Sequence, residues 1–189
     1  MVAERLRVLD GTLHNEPQKI EPTSKPSRSW NNLTALMTIT AILIAASPSA
    51  PMAEVASVRA FPGRGLEGDR YFSNTGTFSP LPQKPDFELT LIEQENIDAF
   101  AQASGLPFTA SQARRNIVTI GVKLNDLVGR EFWIGEVRVR GLRLCEPCSY
   151  LAKISFPETL KGLVHKGGLR AQILSEGIIR TGCAFRLVD

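Results

Sequence analysis

Two cysteines separated by two residues stand in the segment Arg143-Leu144-Cys145-Glu146-Pro147-Cys148. A thiolate is both a soft metal ligand and a nucleophile, and a cation beside it, such as Arg143, raises the reactive fraction. A second group, Arg114-Arg115-Asn116, leads into the apolar residues Ile117 and Val118. Paired guanidiniums at a strand mouth suit a phosphate or another oxyanion, because the planar fork donates two parallel hydrogen bonds, and Asn116 adds a neutral donor and acceptor. A third group runs from Leu163 to Ala171 and holds His165, Lys166, Gly167, Gly168 and Arg170. Glycines between basic residues make a loop whose backbone N–H groups can hold an anion, and His165 is its candidate for proton transfer.

Each group also has an ordinary structural explanation. The arginines suit a solvated strand end, and a single loop histidine is usually a surface residue. The cysteines can be structural, or can join Cys183 and His165 in a four-ligand zinc site, although the eighteen positions between His165 and Cys183 do not give the tight ligand pairs that structural zinc uses. A thioredoxin-like role fits poorly, since no βαβ pattern surrounds the motif. Gly63-Arg64-Gly65-Leu66-Glu67-Gly68 spells a dinucleotide fingerprint, but the following Asp69-Arg70-Tyr71-Phe72 has no helical stripe to bring a helix N-terminus to a pyrophosphate. A tight turn is the simpler account of Gly68, with Asp69 and Arg70 at its exit able to approach a ligand.

These groups need a scaffold, and the composition bounds it. The chain has 189 residues, 43% hydrophobic and 22% charged, which is the size of one domain. A net charge of +3 is too small for a nucleic-acid-binding field and leaves room for a local anionic ligand. Three cysteines, two of them in a CxxC, argue against a secreted disulfide framework and for a reducing compartment, hence a cytoplasmic protein. The apolar run from Leu33 to Ala46 is shorter than the ~20 residues that span a bilayer and lies behind a long mixed-charge segment, so it reads as a buried strand.

Residues 1–32 are polar, carry Pro17, Pro22 and Pro26, and are expected to form a disordered or loosely held extension. The folded domain is expected over 33–189. Within it, short apolar runs bounded by Gly or Pro predict strands at 39–45, 54–61, 87–92, 116–122, 131–134, 137–144, 169–174 and 184–188, a series that suggests a barrel or sandwich. In the run from Val137 to Leu144 the apolar parity switches at Gly141, as at a β-bulge that would re-aim Cys145. One helix is predicted with Thr90 and Glu93 as a capping box, Ile97, Phe100 and Ala101 as its apolar stripe and Gly105 at its end. A short second helix is predicted from Ser149 to Ser155.

In this order the strings Gly63–Tyr71, Leu89–Glu95, Arg114–Gly141, Arg143–Cys148 and Leu163–Leu174 resemble the MOSC domain, the C-terminal domain of molybdenum-cofactor sulfurases that also occurs as a stand-alone protein. The resemblance implies a mainly β fold, a closed β-barrel with a few short helices. It implies that Cys148 either ligates molybdenum or carries sulfane sulfur as a persulfide, and that Arg114, Arg115 and Asn116 meet the phosphate of the pterin cofactor. On that basis the expected cofactor is molybdenum cofactor and the metal ligand Cys148. The catalytic set is Cys148, Cys145, Arg143 and His165, and the cofactor-binding set adds Gly68, Asp69, Arg70, Lys166 and Arg170.

The activity implied is reduction of small N-hydroxylated compounds. The alternatives are a sulfur carrier working through a Cys148 persulfide, and a non-catalytic domain with a structural or zinc-binding CxxC. Expected partners are separate electron-donor proteins or a cysteine desulfurase, with neither nucleic acid nor membrane. Pyridoxal phosphate, although associated with the family, is not expected, because no aminotransferase-like domain precedes the MOSC-like segment. Gly182-Cys183 departs from the glycine-aspartate that relatives commonly carry there.

Overall fold

The computed structural model describes residues 37–79 and 81–188, all within the compact unit Asn32–Asp189. The expectation for residues 1–32 lies outside the described residues. The main sheet has eight strands in the order β11-β7-β8-β9-β5-β6-β1-β2. They are β1 (Thr38–Ile44), β2 (Ala53–Glu54), β5 (Leu89–Glu93), β6 (Ile117–Ile120), β7 (Glu131–Ile134), β8 (Val137–Leu144), β9 (Leu169–Ile173) and β11 (Phe185–Leu187). A smaller sheet sets β3 (Ser57–Phe61) between β10 (Gly177–Arg180) and β4 (Gly65–Leu66). The helices are short: α1 (Gln94–Ser104), α2 (Ala110–Ala113), α3 (Ser149–Ile154) and α4 (Thr159–Gly162).

The sheet is a strongly curled open half-barrel, which corrects the expectation of a closed one. Its two ends approach at a single bridge, Thr38 to Ala184, flanked by Ile39 N–H to the Cys183 carbonyl (3.1 Å) and Phe185 N–H to the Met37 carbonyl (2.9 Å). The end strands β2 and β11 are two and three residues long, too short to carry a continuous ladder around the opening. The small sheet covers the concave side instead, and Val58, Ala60, Leu66 and Ile179 join Ile39, Leu91, Phe132, Val139 and Phe185 in one apolar core.

The strands β5 and β6 pair in parallel, while their other partners run antiparallel. A parallel pair needs a crossover, and α1 and α2 supply it on the convex face. Both faces of β5 and β6 are thus covered. Leu91 and Ile117 point into the half-barrel, while Ile92 and Val118 pack against Ile97, Phe100 and Phe108 in a second core. This accounts for the near-continuous apolar reading of these strands. It also supplies a βαβ unit that the sequence pattern did not reveal, although the cysteine motif lies outside it.

The bulge at Gly141 is present: the register between β8 and β9 shifts between Gly141 and Arg143. A side chain at Gly141 would collide with the Leu127 carbonyl, so only glycine lets the 127–130 loop bridge to this strand. Other boundaries move. Helix α1 starts three residues later than expected, with Glu93 as N-cap, because Thr90 is still paired in β5. The real capping box is Thr109 with Gln112 at the head of α2. The run 54–61 breaks into β2 and β3. Among the described residues, no helix is long and apolar enough to cross a membrane.

Candidate functional site

At the ends of β5, β6 and β8 a narrow cleft is lined by Arg70, Arg114, Arg115, Asn116 and Arg170, together with Cys145, Glu146 and Cys148. The thiol loop and the basic segment, distant in sequence, therefore share one cavity. Cys148 is exposed and sits as the N-cap of α3, with its carbonyl accepting Ala152 N–H at 3.0 Å. Cys145 is buried behind it.

The residues 114–116 do three different jobs. Arg114 takes a left-handed conformation (φ 58°) that ends α2, and its Nη1 donates to the Ala50 carbonyl at 2.9 Å. Burial and the neighbouring Arg70 guanidinium lower its pKa from the usual arginine value. Arg115 is buried and gives its donors to backbone: Nε to the Gly167 carbonyl (2.8 Å), Nη1 to that of Ala113 (3.0 Å) and Nη2 to that of Cys145 (2.8 Å). It acts first as a brace for the cysteine loop, while its charge still faces the cleft. Asn116 is also fully engaged. Its Oδ1 accepts Thr90 Oγ1–H (2.8 Å) and its Nδ2 donates to the Leu43 carbonyl (3.1 Å) and toward Asp69 Oδ2 (3.4 Å).

Asp69 anchors this end of the molecule. Its buried carboxylate accepts Ala45 N–H (3.1 Å), Tyr71 N–H (3.0 Å) and Arg70 Nη1–H (3.1 Å). Arg70 is itself nearly buried and turns toward the cleft. The glycines ahead of it form a turn, as expected: Gly68 has φ 81°, and a Cβ on Gly65 would lie 2.8 Å from the Glu88 carbonyl. Arg170, on β9, donates Nη1–H to the Asp86 carbonyl at 3.1 Å and lies over the Phe87 ring.

Gly68 and Asp69 stand next to the cleft without lining it, and three further expected residues are elsewhere. Arg143 faces Asp86 in an exposed pair (Nη2 to Oδ2, 2.6 Å) and does not line the cleft, because the bulge turns β8 outward there. His165 and Lys166 line a separate groove with Glu93, Glu95 and Asn125. The proposed zinc ligands are not assembled. Cys183 lies against Gly135 at the β7–β8 turn, and among the described residues no three His, Cys, Asp or Glu side chains gather as a metal-holding group. All three cysteines are free thiols.

The sequence reading missed the aromatic and hydroxyl side of the cleft, formed by Tyr71, Thr77, Phe78, Phe87 and Tyr150. The Tyr150 hydroxyl hydrogen-bonds Ser49 (2.6 Å) and accepts from Thr77 Oγ1–H (3.1 Å), and its ring meets Phe78 edge-on. Those hydrogen bonds, with Arg114 nearby, lower its pKa, whereas burial raises that of Tyr71. The signal for Tyr150 was its place two residues after Cys148, on the first turn of α3. Thr77 and Phe78 carry no local signal.

The sequence pattern of the MOSC domain matches residues 77–186, more than half of the chain. The chain belongs to the MOSC family. Solved structures agree on the fold. YiiM from Geobacillus stearothermophilus superposes with a TM-score of 0.62 at 22% identity, covering 81% of this MOSC chain and 75% of that one. YuaD from Bacillus subtilis gives 0.65 at 14% identity, covering 79% and 94%. YiiM from Escherichia coli gives 0.60 at 18% identity, covering 80% and 70%. No curated protein matches this MOSC sequence.

Proposed function

We propose that this MOSC protein binds molybdenum cofactor in the cleft and reduces small N-hydroxylated compounds, with Cys148 as the molybdenum ligand. The observation that supports this reading is the placement of one exposed thiol and four arginines around a single cavity. The donor set fits the group. A pterin dithiolene with a phosphate needs fixed cations for its charge and a soft donor for its metal. Arg70, Arg114 and Arg170 would hold the phosphate, and Cys148 Sγ would bind the metal.

When bound, the molybdenum centre supplies a position that takes up the substrate oxygen. In balance, an N–OH compound, two electrons and two protons give the N–H compound and water, with the electrons coming from separate donor proteins. The chain's own part is placement. Asp69 fixes Arg70, Asn116 fixes Asp69, and Arg115 ties the Cys145 carbonyl to the strand that carries the cations. The enclosed part of the cleft is about 70 Å³. That is below the ~300 Å³ of ordinary ligand pockets, so binding the cofactor would widen the cleft.

Metal analysis of protein made in a cofactor-competent host tests the reading. Stoichiometric molybdenum is expected, and Cys148→Ser should lose it without loss of folding, because serine is a favoured N-cap at this exposed position. Metal-free protein carrying about +32 Da on Cys148, one sulfur atom, would overturn this reading in favour of a sulfur carrier.

A further inference from the structure

The segment His165-Lys166-Gly167-Gly168 does not reach the cleft with its side chains, yet it touches the cysteine loop at successive points. The Gly168 carbonyl accepts Cys145 N–H at 2.7 Å. The Gly167 carbonyl accepts Arg115 Nε–H, while Arg115 Nη2–H goes to the Cys145 carbonyl, so one guanidinium bridges the two loops. Neither glycine can be replaced: a Cβ on Gly167 would strike the Cys145 carbonyl, and one on Gly168, at φ 96°, the Leu91 carbonyl. The glycines thus serve close backbone approach.

His165 completes the contact. It holds a left-handed backbone (φ 58°), a conformation unfavourable to a non-glycine residue that persists only where its surroundings fix it. Its backbone N–H donates to Glu146 Oε2 (2.9 Å) and its Nδ1–H to Glu146 Oε1 (2.8 Å), so both carboxylate oxygens are held by one residue. Its carbonyl accepts Asn125 Nδ2–H at 2.8 Å, tying the loop to the body of the domain. Glu146 lies between the two cysteines. Arg115 and Gly168 fix the loop at Cys145, but along the stretch toward Cys148 the side-chain hold is this two-point grip on Glu146.

We propose that His165 is a positioning residue for Cys148: through Glu146 it fixes the loop that presents the thiol to the cleft. The proposal rests on Cys148 being the working residue, as argued above, and assigns His165 no contact with substrate or cofactor. It explains why a histidine occupies a left-handed position in a loop that does not line the cavity.

The test combines hydrogen–deuterium exchange of the peptide spanning 145–149 with the rate of molybdenum loss from loaded protein, in His165→Ala, His165→Gly, His165→Asn and Glu146→Ala. Glycine relieves the backbone strain, so it keeps the test valid should the alanine variant fold poorly. Asparagine tolerates the left-handed backbone and offers an N–H donor to Glu146. The Ala and Gly variants and Glu146→Ala should exchange about three- to ten-fold faster at 145–149, the range for loss of a surface ion pair with its hydrogen bonds. They should also lose molybdenum faster, and His165→Asn should restore both. Unchanged exchange at 145–149 would overturn the proposal, as would faster exchange spread over the whole chain. Should wild-type protein hold no molybdenum, the cofactor reading falls, while the exchange data still decide whether the clamp fixes the loop.

Discussion

The two ends of the half-barrel are built on opposite principles. Around Phe132 and Phe185, whose rings stack at 4.7 Å, the interior is apolar and filled by Ile134, Val137 and Val139. At the cleft, Asp69, Arg70, Arg115 and Asn116 are buried almost as deeply, and each is held by hydrogen bonds. An apolar core tolerates local loss because its contacts are many and weak, whereas a buried polar network fails when one member leaves the rest unpaired. The difference separates a region that supplies stability from one whose geometry the cleft depends on.

The sharpest way to break the contrast is Asp69→Ala. It strands the buried Arg70 guanidinium and the Ala45 and Tyr71 N–H groups, and removing one partner of a buried ion pair costs about 3–5 kcal/mol. Urea unfolding should show that loss together with a changed rate of Cys148 alkylation by iodoacetamide. Next in size is Arg115→Met, which keeps bulk but leaves the Ala113, Cys145 and Gly167 carbonyls without their donor, at about 2 kcal/mol. Its mark is a larger change in Cys148 alkylation than its stability loss alone explains. Ile134→Val, in the apolar end, should cost about 1 kcal/mol and leave Cys148 alkylation unchanged. Equal effects of all three variants on the thiol would erase the distinction between the two regions.

What the sequence disclosed follows the same division. The apolar strands β1, β7, β8 and β9 and the bulge at Gly141 were legible because period and parity are local signals. The two-residue β4 and the partly exposed β10 were not, since their pairing with β3 is fixed by the core they cover. Closure was over-read: nothing in a strand's own pattern says whether the last strand will ladder with the first. At the site, residue types singled out Cys148 and arginines that the structure gathers in one cleft, but not the division of labour among them. Arg115 and Asn116 look like ligand-binding side chains in sequence, and only the loops around them show that their donors are spent on Cys145, Gly167, Leu43 and Asp69. Arg143 and His165, both expected at the site, are instead paired with Asp86 and Glu146 and do not line the cleft.

The smallest effect lies on the boundary between the two regions. Glu88 follows the cleft residue Phe87, and its buried carboxylate reaches into the half-barrel, where Oε2 accepts Ile173 N–H at 2.9 Å. No cation pairs with it among the described residues, and burial raises its pKa above the ordinary 4.5. The folded chain therefore binds this proton at a higher pH than the unfolded chain does. As pH climbs from 4.5 through the raised value, the group's ionisation progressively removes stability, and the full cost is present above that value. Glu88→Gln keeps an oxygen for Ile173 N–H and removes the ionisation. The variant should gain stability over wild type at neutral pH, with the gap shrinking as pH falls toward 4.5, measured as urea midpoints across that range. Glu131 provides the opposite slope. Its partly exposed carboxylate is held below the usual range by Arg140 and Arg138, so its contribution is lost on acidification and is screened by salt. A Glu88→Gln gap that widened on acidification would mean that the native carboxylate is stabilised by its surroundings, and the boundary would then belong with the polar end.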